Sequence, residues 1–212
     1  MKKIIVLVAF ILFVINISAQ EENVDSRTML YFGAKIGANL SNVYDTQGES
    51  FTANPKAGFA TGIFASIPFG RYLGIQPEIL FSQRGYRSSG TYLFVDYTTT
   101  HTSNYIDFPI LAVLKPVPGF SILAGPQVSF LISQRDVTRG DLTSDQQQQF
   151  DNNNFRKNTL CFTGGFDLNF YNMVIGGRAG WDLLNNNGEG KSTNPRYKNV
   201  WYQATIGFRF GM

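Results

Sequence analysis

From Leu30 onward the chain alternates apolar and small or polar residues one for one. Leu30, Phe32, Ala34, Ile36, Ala38 and Leu40 form one face, and Tyr31, Gly33, Lys35, Gly37 and Asn39 the other. The end of the chain repeats the pattern, with Val200, Tyr202, Ala204, Ile206, Phe208 and Phe210 set against Trp201, Gln203, Thr205, Gly207 and Arg209. A period of two belongs to β-strands, whose successive side chains leave opposite faces. Six more strands are predicted between these two, near 56–68, 72–86, 103–115, 119–133, 158–170 and 173–184. Each runs on the order of 11 to 15 residues, where globular strands cluster near 5 or 6. That length suits a tilted strand crossing a bilayer.

The connections alternate between two kinds. Phe69-Gly70-Arg71, Pro116-Val117-Pro118 and Tyr171-Asn172 read as tight turns, whereas 41–55, 87–102, 134–157 and 185–198 are long and polar. Short turns on one side and long loops on the other is the asymmetry of bacterial outer-membrane barrels. It places both termini on the short-turn, periplasmic side. The predicted fold is all-β: an eight-stranded antiparallel transmembrane barrel wound as an up-and-down meander over 30–212. Pro77, Pro109 and Pro126 fall inside predicted strands, where each removes a ladder donor, so local bulges are expected at them.

Period two leaves open which face is inside, since a soluble calyx would bury the same apolar residues. Three features favour lipid outside. The polar face holds Gly, Ser and Thr rather than the dense charge of a soluble exterior. Its charges are sparse and of both signs: Lys35, Arg84, Arg178 and Arg209 against Glu78, Asp107, Asp167 and Asp182. Aromatic residues gather near strand ends, as an interfacial belt requires: Tyr31, Phe32, Phe69, Tyr72, Tyr105, Phe120, Phe170, Trp201, Phe208 and Phe210.

Composition agrees. Charged residues make up 16% of the 212, against roughly 25% in an average soluble domain, and aromatics reach 15%. At the front, Lys2-Lys3, an apolar run from Ile4 to Ile17 and small residues Ser18-Ala19 follow the order of a secretory signal. The run is too short for a transmembrane helix, which needs roughly 20 apolar residues. Residues 1–19 are expected to be a signal peptide cleaved after Ala19, and 20–29 a periplasmic segment. Losing Lys2 and Lys3 leaves sixteen basic against fifteen acidic residues, so no clustered basic face argues for nucleic acid. Cys161 is the single cysteine, which excludes an internal disulfide; a buried or membrane-facing small residue is expected there.

Ordered motifs run along the chain: Gly33-Ala34-Lys35-Ile36-Gly37-Ala38-Asn39-Leu40-Ser41, then Gln76-Pro77-Glu78-Ile79-Leu80-Phe81-Ser82-Gln83-Arg84-Gly85 and Tyr105-Ile106-Asp107-Phe108-Pro109-Ile110-Leu111. Ala124-Gly125-Pro126, Gly164-Gly165-Phe166 and Phe208-Arg209-Phe210 follow. In this order they resemble the PorT-like outer-membrane β-barrel family of Bacteroidota. Asp107 stands where that family more often has Glu, which keeps the carboxylate. The resemblance implies an eight-stranded barrel; one branch of the family is linked to protein secretion, and nothing in the motifs marks this chain as part of it.

An eight-stranded interior is just wide enough for side chains to fill. The eight lumen charges Lys35, Glu78, Arg84, Asp107, Asp167, Arg178, Asp182 and Arg209 are therefore expected to form a paired structural network, because an unpaired buried charge costs several kcal/mol. The competing reading is an ion or proton path. His101 is the only histidine; it falls in the predicted loop 87–102, two residues from Ser103 and near Asp96 and Asp107. A His with Ser and an acid could form a hydrolase, but nucleophilic catalysis needs geometry that sequence proximity does not supply. An exposed loop histidine is the expectation. The Gln146–Gln149 and Asn152–Asn154 tracts read as a solvated outer loop or a surface for partner capture. Loop carboxylates Asp45, Asp96, Asp141, Asp145 and Asp151 show no calcium-ligand spacing.

The expectation is a non-enzymatic envelope barrel without cofactor or metal. It would be monomeric, contact outer-membrane lipid, and act structurally or by binding an envelope protein through its outer loops. A component of a secretion machinery, or a narrow channel, is the alternative; an outer-leaflet hydrolase using His101 stands behind both.

Overall fold

A computed structural model describes residues 25–44, 53–92, 95–140, 143–148, 157–185 and 197–211. The expected signal peptide, residues 20–24, Asn152–Asn154 and the loop aspartates Asp45, Asp141 and Asp151 lie outside them.

The strands are β1 (Tyr31–Tyr44), β2 (Ala53–Pro68), β3 (Leu73–Tyr92), β4 (Val95–Val117), β5 (Phe120–Gly140), β6 (Thr143–Gln148), β7 (Asn158–Phe170), β8 (Met173–Asp182) and β9 (Lys198–Gly211). Every pairing is antiparallel. They run in the order β4-β3-β2-β1-β9-β8-β7-β5, and β4 also pairs with β5, which closes a ring of eight. The barrel is a meander closed by β1 against β9, from Tyr31 opposite Gly211 to Tyr44 opposite Lys198.

Burial settles the orientation. Along β1 the polar face is inside, with Lys35 and Asn39 buried, while Ile36 is 59% and Leu40 50% exposed. Ile63, Ile110, Ile206 and Tyr202 are likewise exposed, and Gln76, Glu78, Ser82, Arg84, Asp107 and Ser129 are buried. An apolar exterior around a polar interior is stable only where hydrocarbon, not water, is the surrounding solvent.

The aromatic belt is narrower than predicted. Phe69, Tyr72, Phe170, Tyr171 and Phe210 are exposed at the short-turn end, whereas Tyr31, Tyr105 and Trp201 are buried in the lumen. All three fall on the polar side of the alternation, which outweighs their place near a strand end.

The turns sit where the sequence puts them, between Pro68 and Leu73, Val117 and Phe120, and Phe170 and Met173. Gly119 has φ +83°, which favours glycine, while Tyr171 holds φ +51° despite its side chain. Gly37 has a different need. A Cβ there would stand 1.9 Å from the Ala204 carbonyl oxygen, so any side chain would part β1 from β9.

Three expectations are corrected. β3, β4 and β5 continue through much of 87–102 and 134–140, which were expected to be loop, and a ninth strand, β6, pairs onto the extension of β5. Gln146, Gln147 and Gln148 thus belong to a strand. No bulge occurs at Pro77, Pro109 or Pro126: Leu73–Pro77 pair with Ile110–Leu114, and the ladder resumes at Leu80 and Asp107 in the same register. Each proline costs a rung without an inserted residue. The register shifts instead near Pro55 in β2, between Asn104 and Tyr105, and between Leu114 and Val117.

Candidate functional site

Inward-facing positions of the eight ring strands fill the lumen with polar side chains in tiers. The tier nearer the short turns centres on Glu78. Lys35 Nζ donates to Glu78 Oε2 at 2.6 Å and Gln76 Nε2 to Glu78 Oε1 at 2.8 Å. Arg178 Nη2 reaches Asp167 Oδ1 at 2.8 Å and stands 3.9 Å from Glu78 Oε1. Lys35 and Glu78 lie on β1 and β3, separated by β2, so the pair spans the lumen wall rather than adjacent strands.

Farther from the turns, Arg84 is buried with its guanidinium 3.6 Å from the Trp201 ring centroid and 4.8 Å from that of Tyr105. It donates to Asp107 and to Ser82 Oγ at 3.3 Å. Asn39 Nδ2 donates to Ser82 Oγ and Gln203 Nε2 to Asn39 Oδ1, both at 2.9 Å. Asp182 accepts from Asn199 N at 3.0 Å, Asn199 Nδ2 at 2.6 Å and the Cys161 thiol at 3.1 Å.

The eight predicted lumen charges thus fall into two clusters and two singletons rather than one network. Lys35, Glu78, Arg178 and Asp167 form one cluster, and Arg84 with Asp107 the other. Asp182 makes no salt bridge among the described residues and is held by neutral donors. Arg209 stands at the short-turn mouth over the Tyr31 ring at 4.0 Å, its Nε donating to the Tyr171 carbonyl at 3.1 Å. Which charges meet depends on strand tilt, which alternation does not encode.

At the opposite end His101 is a strand residue, not a loop one: it lies in β4, opposite Tyr86 and Asp136. Its Nδ1 is 2.8 Å from Asp136 Oδ1, and its ring stacks on Tyr86 with centroids 4.4 Å apart. Tyr197 meets Tyr86 edge-on at 5.4 Å. Asp136, which sequence proximity did not suggest, stands beside the imidazole without hydrogen-bond geometry, and Ser103 lines a small cavity with His101. Asp107 belongs to the Arg84 cluster instead, and the Asp96 and Asp145 side chains lie outside the described ones.

The segment before β1 lies against the short-turn end. Asp25 accepts from Arg27 N and both side chains pair, at 2.8 Å, with Arg71 joining Asp25 at 3.0 Å. These hydrogen bonds from Arg27 hold the Asp25 carboxyl at about 2, below its usual range. Lys115 Nζ donates to the Arg27 carbonyl at 3.0 Å, tying the segment to β4. Among the described residues no three His, Cys, Asp or Glu side chains gather to hold a metal ion.

Several solved outer-membrane proteins are similar to the chain at low identity. Ail, the attachment invasion locus protein of Yersinia pestis, is 16% identical, with 86% of this chain and 99% of that one covered at a TM-score of 0.47. Neisserial surface protein A is 12% identical over 84% and 97%, at 0.46. OprG of Pseudomonas aeruginosa is 11% identical over 88% and 98%, at 0.39. No curated protein sequence matches the chain. Residues 18–187 match the family model described as outer membrane protein beta-barrel domain, and it is this match that decides membership. The chain belongs to that family, and is a small β-barrel of the bacterial outer membrane.

Proposed function

We propose that this barrel is a non-enzymatic envelope protein that binds a partner through a sheet raised above the membrane. One observation carries the reading. The outward face of β3 is apolar from Leu73 to Phe81, enough to cross hydrocarbon, yet the strand continues from Gln83 to Tyr92. β4 and β5 overrun in the same way through Thr98-Thr99-Thr100 and Gln134-Arg135-Asp136, and β6 extends the sheet. At about 3.3 Å per residue, the β3 extension measures on the order of 30 Å along the strand. Nothing in crossing a bilayer requires such a platform, whereas backbone held in strands at low entropy cost suits recognition.

A catalytic reading fares worse. His101 and Asp136 form a pair, but the cavity that His101 lines with Ser103 excludes Asp136 and is a small one walled by Tyr86, Tyr105 and Tyr197. Within its family, the ordered motifs support a PorT-like assignment.

The test places a photo-crosslinking amino acid at Arg135 or Thr138, on the part of β5 beside the extension of β4, in living cells. Reproducible crosslinks to one envelope protein, lost when the β3–β4 extension is shortened to a turn after Arg84 and before Ser103, support the reading. Crosslinks to lipid only, or a profile unchanged by the shortening, would refute it. A secretion component among the captured proteins would join the barrel to that machinery.

A further inference from the structure

The short-turn mouth carries more positive charge than its fold uses. A small cavity, partly open to solvent, lies there between the Ser26–Arg27 segment and the barrel wall. Arg27, Lys115 and Arg209 line it, with Ser66, Ser121 and a single carboxylate, Asp167. That carboxylate is committed to Arg178 at 2.8 Å, and Asp25 outside the cavity is committed to Arg27 and Arg71.

Lys115 and Arg209 remain. Lys115 is 6% exposed, and its ammonium donates to the neutral Arg27 carbonyl. Arg209 has a carbonyl and the Tyr31 ring. Neither takes part in an ion pair within 4.0 Å among the described residues; Asp25 attracts Lys115 and Asp167 attracts Arg209 only from farther off, and the two cations repel each other. A pair of like charges held in a lumen costs free energy that an anion would recover. Ser66 lines the cavity with its hydroxyl available as a donor, and Ser121 Oγ accepts from Asn169 Nδ2, leaving its own proton free to donate.

We propose that this mouth binds a phosphate group, with Lys115 and Arg209 as its charge partners and Ser66 and Ser121 as neutral donors. Two cations without an ion-pair partner among the described residues match a dianion, and four donors lining one cavity suit its oxygens. The site faces the periplasmic headgroup level, so the group could be free phosphate or belong to a phosphomonoester lipid.

The test titrates the folded protein in uncharged detergent micelles at low salt with inorganic phosphate and, separately, with dihexanoyl phosphatidic acid, followed by phosphorus NMR. Saturable binding is expected with at least one ligand, and which one responds identifies the source. Lys115→Met and Arg209→Met should each weaken it tenfold or more, while Lys198→Met at the opposite end leaves it unchanged; gel migration before and after boiling confirms that each variant is folded. Glu21 and Glu22 stand five and four residues before Ser26 and could compete, so the titration is repeated on Glu21→Gln/Glu22→Gln protein. No saturable binding in either protein overturns the proposal. Binding unaffected by Lys115→Met and Arg209→Met means an adventitious ion only, and overturns it equally.

Discussion

Replacing Asp107 by Ala isolates what the buried charges contribute. Arg84 and Asp107 are each 1% exposed, and the change leaves a guanidinium in the lumen without its carboxylate. Removing one partner of a buried pair costs about 3–5 kcal/mol. Two aromatic faces stay in place over Arg84, Trp201 at 3.6 Å and Tyr105 at 4.8 Å. Desolvated cation–π contacts are worth about 2 kcal/mol, so the expected loss lies at the lower end, about 3 kcal/mol. Arg84→Met/Asp107→Leu replaces both charges by apolar groups and should recover at least half of that loss. Recovery is incomplete because Asp182 loses the attraction of Arg84 and keeps only Asn199 and Cys161 as donors. Urea unfolding in lipid vesicles, followed by Trp fluorescence, reads these values directly, since Trp201 stacks on Arg84. A loss under about 1 kcal/mol for Asp107→Ala, or a double variant no more stable than the single one, would refute the reasoning.

Three further outcomes follow. Planar-bilayer recordings should show no conductance, because the lumen is crossed by two tiers of hydrogen-bonded side chains; steady unitary currents would contradict that packing. His101→Ala should leave the lipid A mass profile of expressing cells identical to that of the unmutated protein, and a shift by one acyl chain would revive the hydrolase reading. The Asp25 carboxyl is held at about 2 in the folded chain against 3.8 ordinarily, so its clamp on Arg27 and Arg71 is at full strength above pH 3.8. It weakens as pH falls through 2, and Asp25→Asn should abolish that change; a nitroxide on Ser26 gaining mobility only above pH 4 would contradict the sign.

The alternation at Leu30–Leu40 and Val200–Phe210 made the membrane strands legible, because a strand between lipid and lumen must change polarity at every residue. The same logic hid the outer halves of β3, β4 and β5. Once a strand leaves the bilayer, both faces meet water, and Thr98-Thr99-Thr100 reads as loop though it is paired throughout. Lys35, Glu78, Arg84 and Asp107 could be assigned to the lumen from their face alone. Their partners could not, since Lys35 reaches Glu78 two strands away and Asp182 is satisfied by Asn199 and Cys161. His101 and Asp136 meet only through the β4–β5 register, which bulges at Asn104.

The orientation itself is open to direct measurement by nitroxide labels on single cysteines in a Cys161→Ser background, reconstituted in lipid vesicles. Labels at Ile36, Ile63 and Tyr202 should relax with membrane-dissolved oxygen and not with a water-soluble nickel chelate, while labels at Asn39 and Gln203 should be shielded from oxygen. Oxygen reaching Asn39 and Gln203 in preference to Ile36, or nickel reaching Ile36 and Ile63, would mean that water bathes the apolar face, and the barrel described above could not exist.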